Sequence, residues 1–238
     1  MTATIAGDYS KYPISIRDVF RHVTGEACEL RDSWEVYSHL FMEKEGFTDV
    51  VDKRLGGVLR IFQSLLQDEM FLSIARLTDK DSREQKNLSL WSLLASIPDA
   101  RDASFGDKVR SSLDQICAAA ASIRKHRHKR IAHFGLSESL GKAILPVVTY
   151  NEIRGVMEQI ETFLNLFYWE FEKTTLLFDS HSPYEITGQA EETIYKAQAY
   201  DLLEAEGAIP KLEWRRRAEA LKKPNQSTSP PVDPRPEG

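Results

Sequence analysis

Cysteine is the scarcest chemistry in this 238-residue chain: Cys28 and Cys117 are its only two thiols, too few for a disulfide framework. Both lie in helix-patterned stretches, so a reduced, cytoplasmic setting is expected. Glycine, at 12 residues, and proline, at 10, are too few and too unevenly placed for a many-stranded sandwich. Strand alternation is missing, as are Asn-Gly and Asp-Gly hairpin signals. Residues 141–150 come nearest to an extended segment, and Pro146 demotes them. No apolar run approaches the ~18 residues of a membrane span. Residues 1–13 hold no basic stretch followed by an apolar one, so neither a membrane anchor nor export is expected. Positive charge is in deficit: 31 basic against 36 acidic residues leave a net charge of −5. A globally acidic chain is no general nucleic-acid binder, so any affinity for phosphate must come from a local patch.

What is present is helical period. Hydrophobic residues make up 42% of the chain and charged residues 28%, enough apolar surface for a buried core. Ile16, Val19, Phe20, Val23, Leu30, Trp34 and Tyr37 mark a first helix over about 14–44, with Gly25 weakening an unbroken run. Val51, Leu55, Val58, Leu59, Phe62, Leu65 and Leu66 give one face of a second, over 49–77. Val109, Leu113, Ile116, Ala120 and Ile123 give a third, with Ser104 as its N-cap. Ile153, Val156, Met157, Ile160, Phe163, Leu164 and Phe167 give a fourth, from Thr149 to about Phe178. Leu88, Leu90, Trp91, Leu93 and Leu94 suit one short helix over the bundle end.

The fold expected is all-α: an antiparallel bundle of four long helices with additional C-terminal helices at 185–206 and 211–222, and a disordered C-terminal tail. The domain reading is a helical bundle over 1–183, a helical extension over 184–223, and a Pro-rich tail over 224–238. Five of the ten prolines fall in that tail, whose one aliphatic side chain is Val232, so it cannot offset the entropy of ordering itself.

One segment departs from this plain pattern. Arg124, Lys125, Arg127, Lys129 and Arg130 place five cations in seven positions with no acid among them. His126, His128 and His133 put three of the six histidines within eight residues. A solvated helix end, stopped by Gly135, explains some of the cations but not the histidines. A metal site is opposed by the cations, and no carboxylate or cysteine nearby in sequence completes a coordination shell. A nuclear-localisation-like run is a weaker reading again. The residue types also suit phosphate chemistry. Arginine forks onto a phosphate through two parallel bonds. Histidine near neutral pH takes a proton from a hydroxyl or returns one to a leaving oxygen.

The run Arg127-His128-Lys129-Arg130-Ile131-Ala132-His133 resembles the Arg-polar-…-His signature of the HEPN superfamily of helical ribonucleases. Its wording is similar to the abortive-infection branch of AbiU type, the AbiU2-like HEPN proteins. A second block, Leu72-Ser73-Ile74-Ala75-Arg76-Leu77-Thr78-Asp79 followed by Asn87-Leu88-Ser89-Leu90, resembles the same branch, and the resemblance spans about residues 50–170. It implies a dimeric endoribonuclease that needs no metal or other cofactor, or an inactive relative, with Arg127 and His133 as the catalytic pair. His128 is then the polar residue after the arginine, and a defence-system or antitoxin protein is an expected partner. Where the branch often carries Asp two residues after the histidine, this chain has Gly135.

Geometry adds a condition. On a straight α-helix Arg127 and His133 stand ~120° and ~9 Å apart, so they would not face one phosphate. His126, Arg130 and His133 would. Arg127 instead continues the stripe of Leu113, Ile116, Ala120 and Ile123, so it should be part-buried and need Asp79 or Asp68 as partner. Either the helix breaks before His133, or two motifs meet across a dimer axis. Lys125, Lys129 and Arg130 would guide an RNA backbone. Trp34, Trp91 and Trp169 read as core rather than base-stacking platforms. The Gly56-Gly57 pair reads as close helix packing, and Trp214-Arg215-Arg216-Arg217, balanced by Glu213 and Glu219, as a solvated face. The functional expectation is RNA cleavage to a 2′,3′-cyclic phosphate by a cytoplasmic homodimer. The rivals are a non-catalytic HEPN-like module binding RNA, nucleotide or protein, and a structural helical adaptor.

Overall fold

The computed structural model describes residues 9–42, 56–80, 87–98, 103–132, 147–178 and 183–222. Among them every regular element is helical. A 3₁₀ turn, Tyr9–Lys11, leads into α1 (Ile14–Phe41). Then come α2 (Gly56–Thr78), the short α3 (Leu90–Ala95), α4 (Ala103–Ala119) and α5 (Ala121–His126). A π-helical turn, Arg127–Ala132, follows, and α6 (Tyr150–Glu172), α7 (Pro183–Ala205) and α8 (Glu213–Lys222) complete the order. None of these helices is long and apolar enough to cross a membrane.

The chain divides into two units, residues 1–190 and 191–238. In the first, the predicted stripes of α1, α4–α5 and α6 are the core. Ile16, Phe20, Val109, Leu113, Ile116, Ala120, Ile123, Ile153, Phe163, Leu164 and Phe167 are all fully buried. Aromatic rings join the helices: Phe20 lies 5.6 Å from Phe167, and Phe105 of α4 lies 5.4 Å from the same ring, edge to face. Arg31 of α1 donates from Nε to Glu161 Oε1 of α6 at 2.7 Å. At the far end of α1, Tyr37 Oη donates to Tyr150 Oη at 3.0 Å, and Gln63 Nε2 of α2 donates to Tyr37 Oη at 3.3 Å. Gly25 does not interrupt α1. Two backbone bonds still span the break at Ala120, from Ala120 N–H to Ile116 O and from Arg124 N–H to Ala120 O.

Helix ends follow their residues. Thr149 caps α6 reciprocally: its N–H donates to Glu152 Oε2 at 2.7 Å, and Glu152 N–H returns to its Oγ1 at 3.3 Å. The helix stops at Glu172, short of Phe178, because Lys173 turns left-handed (φ 57°). Asn165 then holds the chain against the helix, accepting from Leu176 N–H at 2.7 Å and donating to Leu176 O at 3.1 Å. That return buries Phe178.

Several expectations are corrected. The second helix is fully buried only from Met70 onward; Leu66 packs half-buried against the core, while Val58, Ile61, Phe62 and Leu65 are exposed, at 65%, 63%, 45% and 60%. Val51 and Leu55 lie outside the described residues. Gly57 opens α2, and a Cβ there would meet nothing within 4 Å, so close packing is not its role. Ser104 lies inside the first turn of α4 rather than capping it. Trp34 is buried as expected, but Trp169 is exposed. The segment 141–146 and the Pro-rich tail from 224 also lie outside the described residues.

In the second unit, Glu204 Oε1 accepts from Leu212 N–H at 2.7 Å and Gly207 (φ 74°) turns the chain after α7. Arg216 and Arg217 each pair with Glu213 at 3.2 Å on the solvated face of α8.

Candidate functional site

The basic segment begins on α5, whose buried residue is Ile123, so the helix phase of the core also fixes the residues around it. Arg124 and Arg127, one turn apart, both reach across to the C-terminal end of α2. There Asp79 divides its carboxylate between them. Arg127 Nη2 donates to Oδ2 at 2.8 Å, and Arg124 Nη2 stands 3.2 Å from Oδ1. The expected partnership of Arg127 with Asp79 or Asp68 is therefore made by Asp79. The three side chains are about a quarter to two-fifths exposed, at 26% for Arg127, 27% for Asp79 and 38% for Arg124. Arg127 Nε is buried and has no hydrogen-bond partner among the described residues.

Around this triad lies an open cleft of about 360 Å³. Ala75 and Ala121 keep it hollow by having no side chain beyond Cβ. Asp79, Arg124, Lys125, Arg127 and His128 supply its polar lining. Three cations face one carboxylate there, so the cleft is electropositive inside an acidic chain.

The α-helix ends at His126, and Arg127–Ala132 continue as a π turn. A π turn hydrogen-bonds i to i+5, so side-chain directions change where the motif begins. The straight-helix spacing that grouped His126 with Arg130 and His133 therefore stops at His126. The His126 ring packs edge-on against Phe71 of α2, centroids 5.1 Å apart, and is not part of the cleft lining. His128 is exposed and lines the cleft; Lys129 is half-buried. The backbone of Arg130 lies in the π turn, but its side chain, together with His133 and Gly135, lies outside the described residues.

The second block splits into separate tasks. Arg76 ties α2 to α1, with Nη2 at 2.6 Å from Glu26, 2.8 Å from Glu69 and 2.8 Å from Ser73 Oγ. Asp79 ties α2 to the basic segment. Ser89 N–H donates to Ser92 Oγ at 3.0 Å as α3 begins. Arg124, counted among the five cations of the segment but given no role from the sequence, is the second partner of Asp79. Its signal was the three-residue spacing to Arg127, which puts both on the helix side that meets Asp79.

Thiol chemistry has no support. Burial pushes the Cys28 thiol up to about 11 and raises that of Cys117. Among the described residues no three His, Cys, Asp or Glu side chains gather as metal ligands.

One family model, HEPN_AbiU2, described as AbiU2, matches residues 15–194. No curated protein and no solved structure matches the chain.

Proposed function

This chain belongs to the AbiU2 family of HEPN proteins, an abortive-infection branch, and from that premise we propose a metal-independent endoribonuclease of defence or toxin–antitoxin type. The observation that carries the proposal is the cleft in which Arg124, Lys125 and Arg127 outnumber Asp79, with His128 beside them. A phosphate entering it would share the two arginines with Asp79.

In the proposed reaction an RNA 2′-hydroxyl attacks its own phosphorus. A base takes the hydroxyl proton, the 2′-oxygen–phosphorus bond forms, and the bond to the 5′-oxygen breaks. That oxygen leaves with a proton from an acid, giving a 2′,3′-cyclic phosphate. Arg127 holds the phosphate, His133 transfers the proton, and Lys125, Lys129 and Arg130 guide the backbone. Asp79 positions Arg127, and His126 and His128 support the segment.

The four long helices form an antiparallel bundle in this reading. The pairs Tyr37–Tyr150 and Phe20–Phe167, which match opposite ends of α1 and α6, support it. The working form in this proposal is a cytoplasmic homodimer, as the likeness of residues 127–133 to the HEPN signature implies. The exposed apolar residues of α2 offer a surface for it. Gly135, where the branch often has Asp, favours a second reading: a non-catalytic HEPN module that binds RNA, nucleotide or a partner protein.

Cleavage of a labelled single-stranded RNA in EDTA tests the choice. His133→Ala should slow cleavage by ~10²-fold or more while leaving affinity nearly intact. Cleavage by His133→Ala at the parent rate would end the catalytic assignment. Dependence on one divalent ion would end the metal-free mechanism.

A further inference from the structure

Three consecutive residues at the end of α2 hold three different groups. Thr78 O accepts from Trp91 Nε1 at 3.3 Å and from Cys117 Sγ at 3.8 Å. Asp79 holds Arg124 and Arg127. Lys80 Nζ stands 4.0 Å from the centroid of the Trp91 ring. Trp91 is half-buried at the edge of the core. Its indole is thus fixed at its N–H edge, next door in sequence to the residue that organises the cationic cleft. Over one face of the ring stands the exposed Lys80, which pairs with no carboxylate among the described residues.

A tryptophan serving the core alone needs its ring enclosed. Here the ring is oriented by a backbone carbonyl and capped by a movable ammonium. Stacking of a nucleobase on an aromatic ring is stronger than a solvent-exposed cation–π contact, so a base can displace Lys80. The displaced ammonium then stays beside the strand as one more backbone cation. We propose that the Trp91 face is a nucleobase-stacking subsite tied to the phosphate cleft through Thr78, Asp79 and Lys80, with Lys80 as its removable cover. The inference rests on the RNA reading and adds to it a place for a base. Such a subsite takes any base, because every base has a π face, and it confers a preference for single strands over duplex.

Two probes of equal length test it by fluorescence anisotropy: an oligoadenylate, and an abasic ribose-phosphate oligomer. Trp91→Leu should weaken oligoadenylate binding about tenfold, the loss of one stacked base, and leave abasic binding unchanged. Arg124→Ala should weaken both. If Trp91→Leu matches the parent on both probes while Arg124→Ala weakens both, the stacking subsite is refuted and the RNA reading stands. If the parent binds neither probe, both fall. Should Trp91→Leu not fold, Trp91→Phe decides the matter by emission. Oligoadenylate should quench the parent's tryptophan fluorescence, and that quenching should be lost in Trp91→Phe while most of the affinity remains. Equal quenching in the two proteins overturns the proposal.

Discussion

Arg127 and Asp79 meet at 2.8 Å across the gap between the π turn and the end of α2, 48 residues apart in sequence. The carboxylate also holds Arg124, so it is the one negative charge setting two positive ones. Removing it has two opposed consequences. Asp79→Asn leaves Arg124 and Arg127 without their counter-charge, and thermal or urea melts should show a loss of about 1–2 kcal/mol, modest because all three groups are partly solvated. The same change frees both guanidinium groups, so affinity for single-stranded RNA should rise at low salt, with a steeper salt dependence. A variant that is less stable and binds RNA more weakly would contradict the division of labour. Arg127→Ala should cost less than the several kcal/mol of a fully buried pair, since Asp79 keeps Arg124.

The legible part of this arrangement was the helix phase. Leu113, Ile116, Ala120 and Ile123 are all buried, and extending their stripe to Arg127 gave both its partial burial and its need for an acid. The stripes of α1 and α6 were legible for the same reason, because each helix buries one face along its length. The second helix was not. Its apolar residues continue N-terminally through Leu65, Phe62 and Val58, and pattern alone cannot say that these three stay exposed while Leu66 and Met70 pack against the core. The π turn was also hidden, because its i to i+5 bonding leaves no mark in residue type. Trp91 was read as core from its apolar neighbours; its Nε1 bond to Thr78 O and its lysine cover depend on how α3 is placed.

The bare face of α2 has its own consequence. Ile61 and Leu65 are more than half exposed and one turn apart, so changing both to lysine should leave the thermal midpoint within about 2 °C of the parent. If this face joins two protomers, the double variant should run as a monomer in light scattering at micromolar concentration while the parent runs as a dimer. A dimeric double variant with an unchanged melt would move the interface elsewhere on the molecule.

Lys173 ends α6 with φ 57°, a backbone conformation that costs a side-chain-bearing residue roughly 1 kcal/mol and glycine almost nothing. Its ammonium is exposed and its ion pair with Glu170 is long, 3.9 Å. Lys173→Gly should therefore raise stability by ~0.5–1 kcal/mol in urea melts, without altering RNA binding. A loss of stability would mean that the side chain contributes more than its geometry indicates.

The start of α6 titrates. Glu152 accepts bonds from the N–H and the hydroxyl of Thr149, and these hold its carboxyl below the ordinary range. A carboxyl depressed on folding stabilises the protein most at pH values above its unfolded pKa, about 4.3 for glutamate. That contribution disappears as pH falls through the folded-state value, when the proton must be accepted. Glu152→Gln carries no such proton linkage. Its melts should lie below those of the parent at pH 7, and the gap should close steadily between about pH 5 and pH 3. Thr149→Ala removes only the hydroxyl's share of the cap, so it should lose ~1 kcal/mol at pH 7 and keep part of the acid dependence through the remaining backbone bond. The pH series on all three proteins checks the assignment: a parent-to-Glu152→Gln gap that stays constant from pH 7 to pH 3 would mean that the Glu152 carboxylate does not stabilise the cap.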